Sequence, residues 1–228
     1  MRIKKYGITL TRLKEKDIEL VRSKRNLSEI TSTMVFRDHI TEEMQIKWFH
    51  SINNIYNNFF MIHFNGSPIG LINGKNIDFE KRSSEGGMFI WGKEYWGTAQ
   101  PALCSLIMSD FNFIMNEFET NYIQILRTNT KAISHNKQLG YIASDDLPAT
   151  SEIQWYVLHR NDYLKNVDKV RKGVSLITGD PSLLSFSDFD FEDDSDEDLN
   201  LLYGPLPAYL KEKINFALKR DGRKLLSL

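Results

Sequence analysis

Phe89-Ile90-Trp91-Gly92-Lys93-Glu94-Tyr95-Trp96-Gly97-Thr98-Ala99-Gln100-Pro101-Ala102 leads directly into Leu103, Leu106, Ile107, Phe111 and Ile114. The first three residues end a β-prone segment that begins at Ser84. The middle is a loop with two glycines. From Pro101 to Phe118 the apolar residues recur at helical spacing. Strand, short loop and long apolar helix, in that order, set a helix N-terminus beside a strand end. Free backbone N–H groups there favour an anion. Proline suits the first turn of such a helix, although it removes one donor.

Upstream, Phe59 to Phe64 is β-prone, Asn65-Gly66-Ser67-Pro68 is a turn, and Ile69 to Ile72 resumes the strand. Asn-Gly supplies the positive φ angles of a tight hairpin. Thr41 predicts the N-cap of a helix through Phe49, with Glu42 and Glu43 at its positive end. Ile8 to Leu10 reads as a short strand and Asp17 to Lys24 as a weak helix. Downstream come a strand at Tyr122 to Arg127, a short helix from Lys131 to Gln138 stopped by Gly140, and a strand at Glu152 to His159. This order predicts a mixed α/β (α+β) domain, residues 1–166, with a central sheet of six or seven strands flanked by helices.

Residues 167–228 form a C-terminal extension. Asp188, Asp190, Glu192, Asp193, Asp194, Asp196, Glu197 and Asp198 make an acidic run interleaved with Phe186, Phe189 and Phe191. A basic amphipathic helix, Ala208 to Leu226, follows, carrying Lys211, Lys213, Lys219, Arg220, Arg223 and Lys224. Acidic runs are usually solvated. Three phenylalanines argue instead for partial order, with the helix folded back to bury them at a domain or subunit contact. A homodimer is therefore allowed.

Twenty-nine basic residues against 30 acidic ones give no support to nucleic acid or a membrane surface as partner. The charge-free stretch Trp48 to Gly74 carries too many asparagines to span a bilayer. One cysteine, Cys104, excludes an intramolecular disulfide framework and a multi-cysteine zinc site. It reads as a small core residue. No cluster has metal-ligand spacing. A cytoplasmic protein without metal is the expectation.

Asn129-Thr130-Lys131-Ala132-Ile133 and Asn136-Lys137-Gln138-Leu139-Gly140-Tyr141 complete a pattern with the loop at Trp96. Together, over roughly residues 6 to 160, they resemble the GNAT superfamily of acyl-CoA-dependent N-acetyltransferases. The resemblance implies the GNAT fold and acetyl-CoA as co-substrate. It implies a pyrophosphate cradle over Trp96, Gly97, Thr98, Ala99, Gln100, Pro101 and Ala102, and a pantetheine arm beside Phe89, Ile90 and Trp91. A backbone amide near Ile90 or Trp91 would meet the thioester oxygen. Asn129, Ala132 and Asn136 would shape the cleft. The chain departs from the family where the cradle residues are usually Arg or Gln, Gly, and Gly or Ala: here they are Trp96, Ala99 and Pro101. The family's frequent tyrosine acid is replaced by Asn136, whose amide donates a hydrogen bond but no proton at pH 7. His135 is adjacent, about 100° around the helix.

Lys24-Arg25-Asn26, the Thr41 to Phe49 helix, Asn76 to Ser83 and Tyr95-Trp96-Gly97 are similar to the branch that acetylates nucleotide-linked amino-dideoxy sugars for surface polysaccharides. That implies a small-molecule nucleotide-sugar partner, with dTDP and a 3-amino-3,6-dideoxyhexose preferred. Ribosomal-protein N-terminal acetyltransferases share much of this pattern, and a non-catalytic acyl-CoA-binding module is a third reading. Catalytic candidates are Glu85, as a base through water, and Asn136. Substrate candidates are Arg25, Arg37 and Lys75 for phosphates, Phe36 and Trp48 for stacking, His39, and Glu85 again. For each, a plainer role as solvated charge, strand-edge residue or core packing stands beside the functional one.

Overall fold

The structure is a computed structural model and describes residues 1–145, 147, 148, 150–222 and 224–226. β1 (Arg2–Lys5) and β2 (Ile8–Arg12) form a first hairpin. Helices α1 (Ile18–Arg25), α2 (Ser28–Thr31) and α3 (Glu42–Ile52) follow. Thr41 caps α3 as its sequence predicts, its hydroxyl accepting from the Met44 amide at 3.2 Å. β3 (Asn58–Phe64), β4 (Ser67–Asp78) and β5 (Ser83–Ile90) form a meander. Asn65 and Gly66 have φ of 48° and 78°, the paired left-handed residues of a two-residue hairpin turn.

α4 (Gln100–Asp110) runs on into one π-helical turn, Phe111–Met115, so it is shorter than the helix read to Phe118. β6 (Thr120–Leu126), α5 (Thr130–Gln138), β7 (Ile142–Ser144) and β8 (Ile153–His159) complete the part that resembles the family. α6 (Arg160–Thr178), β9 (Phe189–Asp190), α7 (Asp196–Tyr203) and α8 (Ala208–Arg220) follow. Arg223, read as part of the last helix, lies outside the described residues.

The sheet has nine strands, in the order β7-β8-β6-β5-β4-β3-β2-β1-β9. It therefore exceeds the six or seven expected. The additions β1, β7 and β9 span four, three and two residues, too short to show alternation in sequence. Only β5 and β6 pair in parallel among the described strands. Side chains alternate between two layers. Phe59, Met61, Leu71 and Trp91 face Ile18, Val21, Ile30 and Phe49 of α1 to α3. Phe60, Ile62, Ile72 and Ile90 face Leu103 and Ile107 of α4 and Phe111 of the π-helical turn on the other side. Burial on both faces explains why 59–62 and 69–72 carry no charge.

The acidic run is ordered, and its counter-ions come from β1 and from Lys14, just past β2. Arg2 meets Asp190 at 3.0 Å, Lys5 meets Asp188 at 3.6 Å, and Lys14 meets Asp194 at 3.5 Å. Phe189 and Phe191 are 3% and 1% exposed. Burying each ring contributes about 1.5–3 kcal/mol. The ion pairs are partly buried, so desolvation offsets much of their Coulombic gain, and apolar contact holds the segment. Arg220 of α8 folds back to donate to the carbonyls of Phe186 and Phe189 at 2.8 and 2.7 Å.

Two helices of this region were not foreseen. α6 buries Tyr163, Val167 and Val174 on one face. Its Arg171 makes a bidentate pair with the fully buried Asp110 of α4 at 2.9 and 3.1 Å, and Tyr163 donates to the same carboxylate. Among the described residues no helix is long and apolar enough to cross a membrane.

A splayed strand pair as the candidate active site

β5 and β6 pair only from Ser83↔Thr120 to Gly86↔Ile123. Beyond that point Gly87–Ile90 stays bonded to β4, and Gln124–Leu126 stays bonded to β8. The strands part and leave a wedge between two half-satisfied edges. The closed end is pinned. Asn121 of β6 donates to the carbonyl and hydroxyl of Ser84 at 3.1 and 2.7 Å, and its own oxygen accepts from Tyr141. Gly140, with φ of 102°, turns the chain out of α5, so that Leu139 and Tyr141 enter the core. Burial pushes the Tyr141 phenol well above its ordinary pKa, so it serves as an anchor here.

Alternation along β5 turns the backbone groups of Met88 and Ile90 toward the wedge. The Trp91 amide points the other way and donates to the Ile69 carbonyl at 3.0 Å. Of the two amides proposed for the thioester oxygen, the Ile90 amide is therefore the one on the open side. The Trp96 indole donates to the Ile90 carbonyl at 2.8 Å, folding the loop over the strand end. Phe89 and Trp91 side chains lie in the layer under α1 to α3.

At the head of α4 the N–H groups of Gly97, Ala99, Gln100 and Ala102 have no acceptor among the described residues. The Thr98 hydroxyl donates to the Tyr95 carbonyl at 2.6 Å and holds the loop in shape. Gly97, with φ of 80°, supplies the turn. Pro101 sits in the first turn and lacks an N–H. These donors, clustered at a helix N-terminus, fit a diphosphate. Facing them, Asn129 caps α5 by accepting from the Ala132 amide at 3.2 Å. Asn136 donates to the Ala132 carbonyl at 2.9 Å, so one of its amide hydrogens is used within the helix. His135 turns toward α4 and meets the Ser105 hydroxyl at 2.9 Å.

On the opposite face the segment from α1 to α3 bridges the open end. Glu29 pairs with Lys93, beyond the end of β5, at 3.2 Å. Arg37 pairs with Glu152, beside the end of β6, at 3.4 Å. Phe36 and His39 are exposed on this bridging loop. Trp48 packs edge-on to Phe59 at 5.2 Å, a core contact. Glu85 is half-buried near the closed end. It accepts from Lys75 at 2.9 Å, Asn76 at 2.9 Å and Gln124 at 3.2 Å. That leaves little room for more than one water on the carboxylate and commits Lys75 to it. Arg25 lies over the Phe89 ring, 5.5 Å from its centroid.

Cys104 is fully buried and its thiol is pushed up to about 12. Among the described residues no group of His, Cys, Asp and Glu is placed to hold a metal. The sequence reading did not single out Ser105, Asn121 or Asn73. Asn121 carried a signal as a polar residue at an inward strand position. Asn73 is on β4 opposite Gly87, and its Nδ2 is buried without an acceptor.

No protein-family model matches the chain, and no curated protein sequence matches it. Solved structures do. Spermidine N-acetyltransferase from Vibrio cholerae, in complex with CoA and spermine, superposes with a TM-score of 0.64 at 16% identity, covering 70% of this chain and 99% of that one. A probable acetyltransferase gives 0.58 at 19% identity, covering 71% and 98%. A domain from Methanocaldococcus jannaschii DSM 2661 gives 0.57 at 18%, covering 67% and 97%. Likeness at these identities carries the fold, and the fold is that of the GNAT acetyltransferases.

Proposed function

We propose that the chain transfers an acetyl group from acetyl-CoA to the primary amine of a nucleotide-linked amino-dideoxy sugar, by direct attack on the thioester. The observation that carries the transferase half is the wedge between β5 and β6, with unpartnered N–H groups of Gly97, Ala99, Gln100 and Ala102 at the head of α4. The pantetheine amides would complete the open edge of β5, as an added strand does. The α4 donors would take the pyrophosphate. The Ile90 amide would stabilise negative charge as it develops on the thioester oxygen. Glu85 would orient a water that removes the proton lost by the amine. Holding amine and thioester together would supply much of the rate.

The acceptor half rests on the resemblance of the α1 and α3 segments to sugar acetyltransferases. A polyamine acceptor is the competing reading, favoured by the likeness in fold to the spermidine enzyme. The test is thiol release from acetyl-CoA against nucleotide-linked 3-amino and 4-amino sugars, spermidine and N-terminal peptides. Turnover with one sugar supports the proposal. Turnover only with spermidine or a peptide reassigns the acceptor. Bound CoA with no turnover makes the chain a binding module.

A further inference from the structure

Around the wedge, three carboxylates on the acceptor side are matched by cations. Glu85 has Lys75, Glu29 has Lys93 and Glu152 has Arg37. Arg25 has none. Its guanidinium is half-buried on the Phe89 ring, and among the described residues no carboxylate or carbonyl accepts from it. Burial alone draws it below the ordinary arginine value, with no acid beside it to compensate. Stacking on a ring recovers only part of that loss, and among the described residues its five N–H donors have no protein acceptor.

A second unused donor lies on the same face. Leu71 is opposite Phe89 and Asn73 is opposite Gly87. Asn73 is thus a diagonal neighbour of Phe89, about 7–8 Å away across the strand pair. Its buried Nδ2 has no acceptor. Gly87 leaves the space it occupies: a Cβ there would stand 2.9 Å from the Asn73 oxygen. A buried donor left unsatisfied destabilises the fold.

We propose that Arg25 and Asn73 form a subsite for a phosphoryl group of the acceptor, so that the acceptor is an anionic amine and polyamines are excluded. This rests on the acetyltransferase reading and names the charge of its second substrate. A guanidinium and an amide offer paired donors to neighbouring oxygens of one phosphoryl group. A polyamine carries no phosphoryl group for these donors to take.

The probes are dTDP and UDP, with thymidine and uridine as controls and spermidine as rival, titrated by calorimetry with and without saturating CoA. A nucleoside diphosphate should bind at least tenfold tighter than its nucleoside. Arg25→Gln should lose at least tenfold of that affinity while CoA affinity stays the same, and Arg25→Lys should recover part of it. Asn73→Ser should weaken the same ligand. Unchanged CoA affinity shows that each variant is folded. Equal diphosphate binding by wild type and Arg25→Gln, binding of neither diphosphate, or preference for spermidine would overturn the subsite. Failure of the wild type to bind CoA would instead sink the acetyltransferase reading, and the CoA-free titrations would still report on Arg25.

Discussion

The Ser105 hydroxyl and Nε2 of His135 lie 2.9 Å apart and tie α4 to α5 beside the wedge. Which of the two donates follows the tautomer of the ring. Burial lowers the pKa of His135 from its ordinary value.

The sign of the pH effect follows. Above about pH 6.5 the histidine is neutral in folded and unfolded chains alike. Below it the unfolded chain takes up a proton that the buried ring refuses, so stability falls until the lowered folded value is reached. His63 is shifted the same way by burial. Melting temperatures from pH 8 to pH 5 should drop on the acid side, and His135→Gln should make the slope shallower without removing it. Parallel profiles would mean that His135 ionises freely in the folded chain.

Pro101 denies the α4 cradle one N–H. Pro101→Ala restores it. If the cradle takes the pyrophosphate, CoA should bind about tenfold tighter, because a hydrogen bond to a charged group contributes about 1.5–3 kcal/mol. The melting temperature of the unliganded protein should fall slightly, as a proline is lost from the unfolded chain's constraints. Unchanged affinity in a direct titration would place the diphosphate elsewhere.

Glu85→Gln keeps the shape and most donors' partners but removes the charge. Acting as a base through water, Glu85 should account for a rate loss of about 10²–10⁴ on the neutral plateau. A variant with the same plateau would reduce Glu85 to a partner of Lys75.

Asp110 is fully buried, with Arg171 as its counter-ion. Arg171→Leu leaves a carboxylate without its cation, at a cost of about 3–5 kcal/mol. For a chain of this size that corresponds to a fall of about 6–20 °C in melting temperature. The double variant Asp110→Leu with Arg171→Leu should recover much of the loss. A single variant as stable as wild type would show that Tyr163 and the Leu184 amide alone satisfy the carboxylate.

Local signals carried the fold where the cause of structure is local. Asn65-Gly66 predicted the hairpin, Thr41 predicted the cap of α3, and Gly140 predicted the end of α5. Partners far apart in sequence left no such mark. Nothing near Asp190 announces Arg2 as its counter-ion, and a strand as short as β9 has no period to read. α6 did carry a signal, because Tyr163, Val167 and Val174 recur at helical spacing. Polar residues from Arg160 to Asn166 and the compositional shift beyond them obscured it. At the site, motif spacing located the α4 head and α5 but could not say which amides are consumed. Trp91 is bonded away because of strand register, and Asn73 stands without an acceptor because Gly87 faces it. Both are properties of pairing across β4 and β5.

Arg2 and Asp190 are partners 188 positions apart, on the adjacent strands β1 and β9. During synthesis the outer edge of β1 must therefore wait, unpaired, until nearly the whole of the described chain has emerged. An open strand edge is a template for wrong partners, and a closure spanning so much chain is slow. The lysines and arginine on β1 repel a second copy of the same edge in that interval, and the acidic run that later neutralises them acts as a delayed seal. Among the described strands, the first in sequence is covered by the last.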